Sequence, residues 1–331
     1  MPNKTLDVIA IGNAIVDVLA PATDETLATL ALQKGGMQLI EERDIARLYD
    51  AMGRAQERSG GSAANTVAGL ASLGSAAHFI GRVADDDFGR IFAHDLRAAG
   101  VAFASPPAPK GSDPTARCLI FVTPDGERTM NTYLGCSPEL DEAEISADQI
   151  AAAKVLYLEG YLYDRDAAKR ALHLACDHAR DAGTRVALSL SDTFCVERHR
   201  NALTELIASH VDILFANEDE IRALVQTDDA TAAARSLATD QRVIVMTRGP
   251  RGSLICHGEE FEEILPRAVE EVVDTTGAGD LYAAGFLHGH VQGLKFRACG
   301  EIGSIAAAEV ISHMGARPEQ SLSELVSSLK T

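Results

Sequence analysis

KVLYLEGYLYDRDAAKRALHLACDHARDAGTRVALSL, residues 154–190, is the stretch that decides how the rest of the chain is read. Its first seven residues are mostly apolar and end in Gly160, as a buried strand does. DAAKRALHLACDHARDAG (166–183) then carries apolar residues at helical spacing and closes on Gly183. TRVALSL (184–190) returns to a short apolar run. VDILFAN (211–217) and RVIVMTRG (242–249) repeat the pattern, each after a helical segment. Such alternation implies right-handed crossovers. The expected fold is therefore α/β: a doubly wound, mainly parallel sheet with helices on both faces.

Towards the N-terminus the rhythm differs. VIAIG (8–12) is a buried strand, and IVDVLA (15–20) places Asp17 among β-branched residues. SAANTVAGLASLG (62–74) reads as a helix capped by Ser62 and closed by Gly74, and a second helix over roughly 87–99 stops at Gly100. RCLIFV (117–122) and RTMNTYLG (128–135) flank TPDGE, where Asp125-Gly126 signals a hairpin. These strands do not fit the alternation. They predict a small separate sheet, discontinuous in sequence and drawn from about 13–43 and 102–136, projecting from the α/β body.

The bulk properties narrow the partners. With 331 residues and no linker, repeat or charge block, residues 1–331 read as one domain. A net charge of −18 argues against nucleic acid and anionic membranes, which need a basic face. No apolar run is long enough to span a bilayer, and the six cysteines contain no C-x-x-C pair, so a cytoplasmic protein with reduced thiols is expected.

In an open α/β sheet, ligands sit beyond the carboxyl ends of the strands. Gly12-Asn13, Asn217 and Thr247-Arg248-Gly249 all fall at such ends. A further candidate is DTTGAGDLYAAGFLHG (274–289), a small-residue turn entering an apolar helix, with Asp280 in the first turn. The free amides and partial positive charge of a helix entrance suit an anion such as phosphate. A carboxylate would repel that phosphate unless its task is to take a proton from the attacking group. An ordinary helix entrance with a first-turn acid is the plainer alternative. The P-loop pattern, the dinucleotide fingerprint, the protein-kinase set, H-E-x-x-H and G-x-S-x-G are all absent.

Five motifs in order resemble the ribokinase-like (PfkB-type) carbohydrate and nucleoside kinase family: GGSAANTVAGLASLG (60–74), GRVADDDFG (81–89), NEDE (217–220), TRGPRGS (247–253) and DTTGAGD (274–280). The resemblance covers essentially the whole chain and implies a ribokinase-like domain with a β-sheet lid over the acceptor. It implies that Asp280 is the base and that Gly277, Ala278 and Gly279 complete an anion hole for the transferring phosphoryl. Asn13, Asp17, Gly61 and Asn65 would bind the acceptor. Their N-x-x-x-D spacing is similar to that of adenosine kinases, where ribokinase-type members have N-x-D. Asn217, Thr247, Gly249 and Gly252 would bind ATP. Glu220 would order Mg2+ through water, although Asn217 and Glu220 also have the spacing of a helix capping box. Asp274 is the residue to examine for a monovalent cation such as K+. Tyr161, Leu162, Phe194 and Leu134 are candidate walls for a base, and Ala307, Val310 and Ile311 for adenine. The chain departs from the family at Pro114-Thr115-Ala116-Arg117-Cys118, where Arg117 could face the acceptor or solvent. Monomer and homodimer both remain open. A non-catalytic sensor on the same fold is the alternative class, and the intact Gly277–Asp280 turn argues against it.

Overall fold

A computed structural model describes residues 4–327. Among these described residues fourteen strands run in chain order as β1 Leu6–Ile11, β2 Ile15–Pro21, β3 Met37–Leu39, β4 Gln56–Gly60, β5 Ala77–Ile80, β6 Ala102–Phe103, β7 Ala116–Val122, β8 Arg128–Tyr133, β9 Ala153–Glu159, β10 Arg185–Ser189, β11 Ile213–Asn217, β12 Val243–Thr247, β13 Ser253–His257 and β14 Glu260–Ile264. Nine of them form one sheet in the order β14-β13-β12-β11-β10-β9-β1-β5-β6. All neighbours from β12 to β6 pair in parallel, while β13 and β14 extend the edge as an antiparallel hairpin.

Period-two alternation along β1 shows why both faces must be covered. Val8 and Ala10 enter one core with the helices Ser62–Ser72, Ala278–Val291 and Phe296–Val310. Ile9 and Ile11 enter the other, with Asp166–Ala182, Thr193–His210 and Glu218–Val225. A strand buried on both sides reads as a continuous apolar run. The chain runs from β1 outward through β5 to β6, then returns to β9 on β1's other flank. Strand order therefore reverses between β1 and β9, and the crevice beyond their carboxyl ends is where such sheets bind ligands. Gly12, Asn13 and Glu159 lie at that point.

A second sheet has the order β3-β8-β7-β2-β4. Its segments differ from the expected 13–43 and 102–136 in two ways. β4 supplies an edge from outside those ranges, and β6 belongs to the large sheet, where it pairs with β5. QERSG in β4 has too few apolar residues to announce a strand; its pairing with β2 makes it one. One face of this sheet, with Val16, Val18, Leu119 and Phe121, is buried in a cluster with Leu27, Ile45 and Leu48 of the helices Asp24–Thr29 and Glu42–Ala51. The opposite face carries Asp17 in register with Cys118, Thr132 and Leu39. That face is partly open: Met37 and Leu39 are half exposed or more. Among the described residues no helix is long and apolar enough to cross a membrane.

Candidate active site

Gly277 caps the helix Ala278–Val291 with φ +80°, a left-handed conformation that favours glycine. A Cβ there would come within 2.8 Å of Ala316. A Cβ on Gly279 would meet nothing within 4 Å, because that residue borders open space. The space is a cleft of about 240 Å³ lined by Gly277, Ala278, Gly279, Asp280, Asn217, Glu220 and Thr247, among others. Residues far apart in sequence thus meet at one helix entrance.

Asp280 is held by the helix Ser62–Ser72. Ser62 Oγ donates to Oδ1 at 2.7 Å, and Asn65 Nδ2 donates to Oδ2 at 2.9 Å. Burial raises the Asp280 carboxyl above its usual range, opposed by these two bonds and by the Arg317 charge. A carboxylate that is oriented, half-buried and raised suits a general base. Ser62 is not the cap that the sequence suggests. Gly61 caps the helix at φ +96°, which frees the Ser62 hydroxyl for Asp280.

The Gly60-Gly61 pair has a structural explanation. A Cβ on Gly60 would stand 2.5 Å from Asp17 Oδ2, and one on Gly61 would stand 2.3 Å from the Asn13 carbonyl oxygen. Gly61 thus lets the chain approach Asn13, where the sequence suggests the approach of a ligand. Asp17 makes no side-chain hydrogen bond among the described residues. Burial pushes it up to about 6, against Arg317 and Arg128, and it feels the charge of Asp280.

Asn13 is engaged by the protein itself. Its N–H and Nδ2 both donate to Glu159 Oε1, at 2.7 and 2.8 Å, and its Oδ1 accepts from Ser137 at 3.1 Å. Glu159 Oε2 accepts from Ala63 N at 2.9 Å. This fully buried carboxylate, pushed up to about 7 by desolvation, joins β9, β1 and the Ser62 helix. The sequence reading missed it. A lone acid closing an apolar strand, in LYLEG, was the available signal.

On the other side of the cleft, Asn217 and Glu220 form a reciprocal capping box. Asn217 N and Nδ2 donate to Glu220 at 3.0 and 2.7 Å, and Glu220 N donates back to Asn217 Oδ1 at 2.9 Å. Burial pushes Glu220 up to about 7. Thr247 lines the cleft, but Gly249 and Gly252 do not. Gly252 instead faces the Ile264 carbonyl oxygen, which a Cβ would meet at 2.0 Å.

Asp274 does not suit a monovalent cation. Arg128 Nη2 stands 2.7 Å from its Oδ2, both side chains being buried. The contact is a charge pair more than an aligned bond, since Nη2 and Nε of Arg128 make no hydrogen bond of good geometry. Gly315 N donates to Oδ2 at 2.8 Å and Thr276 N to Oδ1 at 3.0 Å. A guanidinium from β8 supplies the positive charge that a K+ ion would bring.

A larger cavity, about 500 Å³, opens between residues 267–273 and the helix Phe296–Val310, with Ile305, Ala308 and Ser312 among its lining. Of the three residues expected beside adenine, Val310 is buried in the core and neither Ala307 nor Ile311 lines this cavity. Leu162 is likewise a core residue, whereas Phe194 is 69% exposed. Tyr161 is half-buried, and its hydroxyl pKa is raised by burial and by carboxylates that include Asp280 and Glu159. Leu134, just beyond β8, is half-buried. Arg117 pairs with Val16, one residue out of step with Asp17, so it lies on the sheet face away from Asp17. Its guanidinium covers Phe88 at 4.6 Å and Tyr133 at 5.9 Å.

Residues 37–322 match the model of the pfkB family carbohydrate kinases. The chain belongs to that family. The kinase is similar in structure to a probable sugar kinase from Rhizobium etli CFN 42, at 44% identity and TM-score 0.91, covering 99% of each chain. It is also similar to an adenosine kinase from Sinorhizobium meliloti, at 46% identity and TM-score 0.90, covering 98% of this chain and 99% of that one. A 5-dehydro-2-deoxygluconokinase of Geobacillus kaustophilus is 29% identical over 265 residues, 76% of this chain and 78% of that protein. Family membership makes this kinase a phosphotransferase acting on a sugar or nucleoside hydroxyl, with the α/β architecture those structures share.

Proposed function

We propose that this kinase transfers the γ-phosphoryl of ATP to the primary 5′-hydroxyl of a ribose-containing acceptor, adenosine first, as a cytoplasmic enzyme of purine salvage acting as a monomer or homodimer. The observation that carries this reading is the seating of Asp280 between Ser62 and Asn65 at the open helix entrance. Asp280 takes the proton of the acceptor hydroxyl as it attacks the phosphoryl. The amides of Gly277, Ala278, Gly279 and Asp280 hold the phosphoryl oxygens. Positioning and charge stabilisation are the main needs of such a transfer. Asp17, whose oxygens accept no hydrogen bond among the described residues, accepts the acceptor's paired hydroxyls. Asn13, committed to Glu159, shapes the floor beside it.

On the donor side, Asn217 and Thr247 flank the phosphates, and the 500 Å³ cavity seats the nucleotide base, since residues 267–273 run straight into Asp274 and the catalytic turn. Each Glu220 oxygen accepts a bond from Asn217 and keeps capacity for another, which fits the water shell of Mg2+. When bound with ATP, that ion supplies positive charge to the phosphates. The small sheet is the lid.

Adenosine is favoured by the open face beside Asp17. Ile15, Met37, Leu39 and Met130 share that face, and an apolar wall suits a purine better than the hydroxyls of a free sugar. The 46% identical adenosine kinase supports the same choice. The second reading, a free-sugar kinase of ribose or fructose type, is favoured by the likeness to the probable sugar kinase. An ADP-release screen across nucleosides and free sugars separates the two. Turnover of adenosine with silent free sugars is expected, and the reverse pattern overturns the adenosine reading.

A further inference from the structure

The segment Gly315-Ala316-Arg317, just beyond the helix Phe296–Val310, touches three parts of the site. Gly315 N donates to Asp274, and Ala316 packs against Gly277. Arg317 reaches β4 and the helix Ser62–Ser72. Its Nη1 donates to the Ala64 carbonyl at 2.7 Å, its Nε to the Ser59 carbonyl at 3.2 Å and its Nη2 to Ser59 Oγ at 3.0 Å. Ala64 lies between Ser62 and Asn65, the two residues that hold Asp280. Ser59 lies in β4, next to the Gly60 that makes room for Asp17, and its N–H and Oγ are anchored to Asp95 Oδ2 at 2.7 and 2.6 Å. All three contacts of this guanidinium go to neutral oxygens, and among the described residues it forms no ion pair. The carboxylates that act on its charge are Asp95, held by the same Ser59, then Asp17 and Asp280.

We propose that Arg317 is a positioning residue of the transfer: it ties the small sheet to the helix that orients Asp280 and sets one fixed positive charge at that junction. The inference rests on the kinase reading above. Asp17 faces Cys118 and Arg128 on the small sheet, with Arg58 as lateral neighbour turned towards Gln56. Asp280 faces Ser62 and Asn65, with the buried Glu159 nearby. Arg317 is the cation that lowers Asp280, and it is the largest charge lowering Asp17, ahead of Arg128. Burial brings Arg317 itself down to about 10, so it stays charged at neutral pH.

Arg317→Gln keeps the hydrogen-bonding character and removes the charge. Opposite charges close to a carboxylate shift it by roughly 1–3 units. Two readouts are taken. In the first, the acid limb of acceptor kcat/KM moves up by about one pH unit in Arg317→Gln, kcat falls at least ~10-fold and the KM for ATP changes less than about threefold. Arg317→Lys keeps the limb where it is in the wild type. In the second, NMR titration of 13C-labelled aspartate side chains in the folded protein shows Asp17 and Asp280 titrating higher in Arg317→Gln than in the wild type. The second readout needs no turnover. If the wild type phosphorylates nothing while both carboxylates shift, the kinase reading fails and the electrostatic role of Arg317 stands. If turnover is present but limb and carboxylates stay put, the Arg317 inference is overturned. Should Arg317→Gln fail to fold, Ser59→Ala loosens the same tie by removing one bond. A Ser59→Ala kcat at least about threefold below wild type supports the tie, and an unchanged kcat overturns it.

Discussion

Asp280→Asn isolates the proton-transfer step. Asparagine has nearly the volume of aspartate, so the helix entrance and its amides stay where they are. The new amide nitrogen will face either Ser62, whose hydroxyl can turn from donor to acceptor, or Asn65, whose own Oδ1 is buried without a partner and can rotate to receive it. Two charge-assisted bonds are exchanged for neutral ones, a change of about 1 kcal/mol each, offset by relief of the burial that raises this carboxylate. Thermal unfolding should therefore differ little from the wild type, and calorimetric binding of a non-hydrolysable ATP analogue should be retained. Turnover is another matter. An amide cannot take the proton of the attacking hydroxyl, and a positioned base contributes roughly 10²–10⁴-fold, or about 3–5 kcal/mol of barrier. Acceptor-dependent ADP release should fall by that factor where the wild-type Asp280 is ionised, and by less as pH drops and its raised carboxyl is protonated. A folded, nucleotide-binding Asp280→Asn variant within a few-fold of wild-type turnover would refute the assignment of Asp280 as base.

Four further outcomes are expected. Asp17→Ala removes a charged partner worth roughly 1.5–3 kcal/mol to the acceptor hydroxyls, so acceptor kcat/KM should fall about tenfold or more with ATP affinity unchanged; in the wild type the same parameter should decline as pH falls through about 6, where Asp17 protonates. Glu159→Ala leaves the Asn13 N–H, the Asn13 amide and the Ala63 N–H unpaired, a loss of at least about 3 kcal/mol by urea unfolding at roughly 1–3 kcal/mol per group. Because the folded Glu159 pKa is raised, its charge costs stability as pH rises from the ordinary carboxylate range through about 7; the Ala variant lacks that cost, so its deficit should be largest near pH ~5 and smaller near pH ~8. With Arg128 supplying the charge at Asp274, exchanging K+ for tetramethylammonium at constant ionic strength should leave turnover within about twofold, and a collapse would mean that a cation binds there after all. Hydrogen exchange in 36–40 and 117–134 should slow when acceptor is added, as the small sheet closes, while the helix Ala278–Val291 changes little; protection confined to the α/β body would remove the lid role.

Much of this protein is determined locally and is legible without coordinates. Apolar runs such as VLYLE and VIVM are strands buried on both faces, because only a two-sided core gives so many adjacent apolar residues a place. The Asp280 turn is legible for a similar reason: small residues before a helix leave its amides open wherever the chain goes next. What the sequence alone could not disclose depends on pairing between distant segments. QERSG becomes an edge strand of the small sheet only because β2 lies beside it, and Gly61 is a glycine because the Asn13 carbonyl arrives there in space. Glu159, Arg128 and Arg317 look like ordinary charged residues in the chain. Their roles arise from burial beside partners 96, 146 and 253 residues away in the case of the bonds from Ala63 and Asn13 to Glu159 and from Arg317 to Ala64. A charge has no local propensity that reveals its partner. Its energy depends on distance and on the medium between the groups, and only tertiary packing sets both.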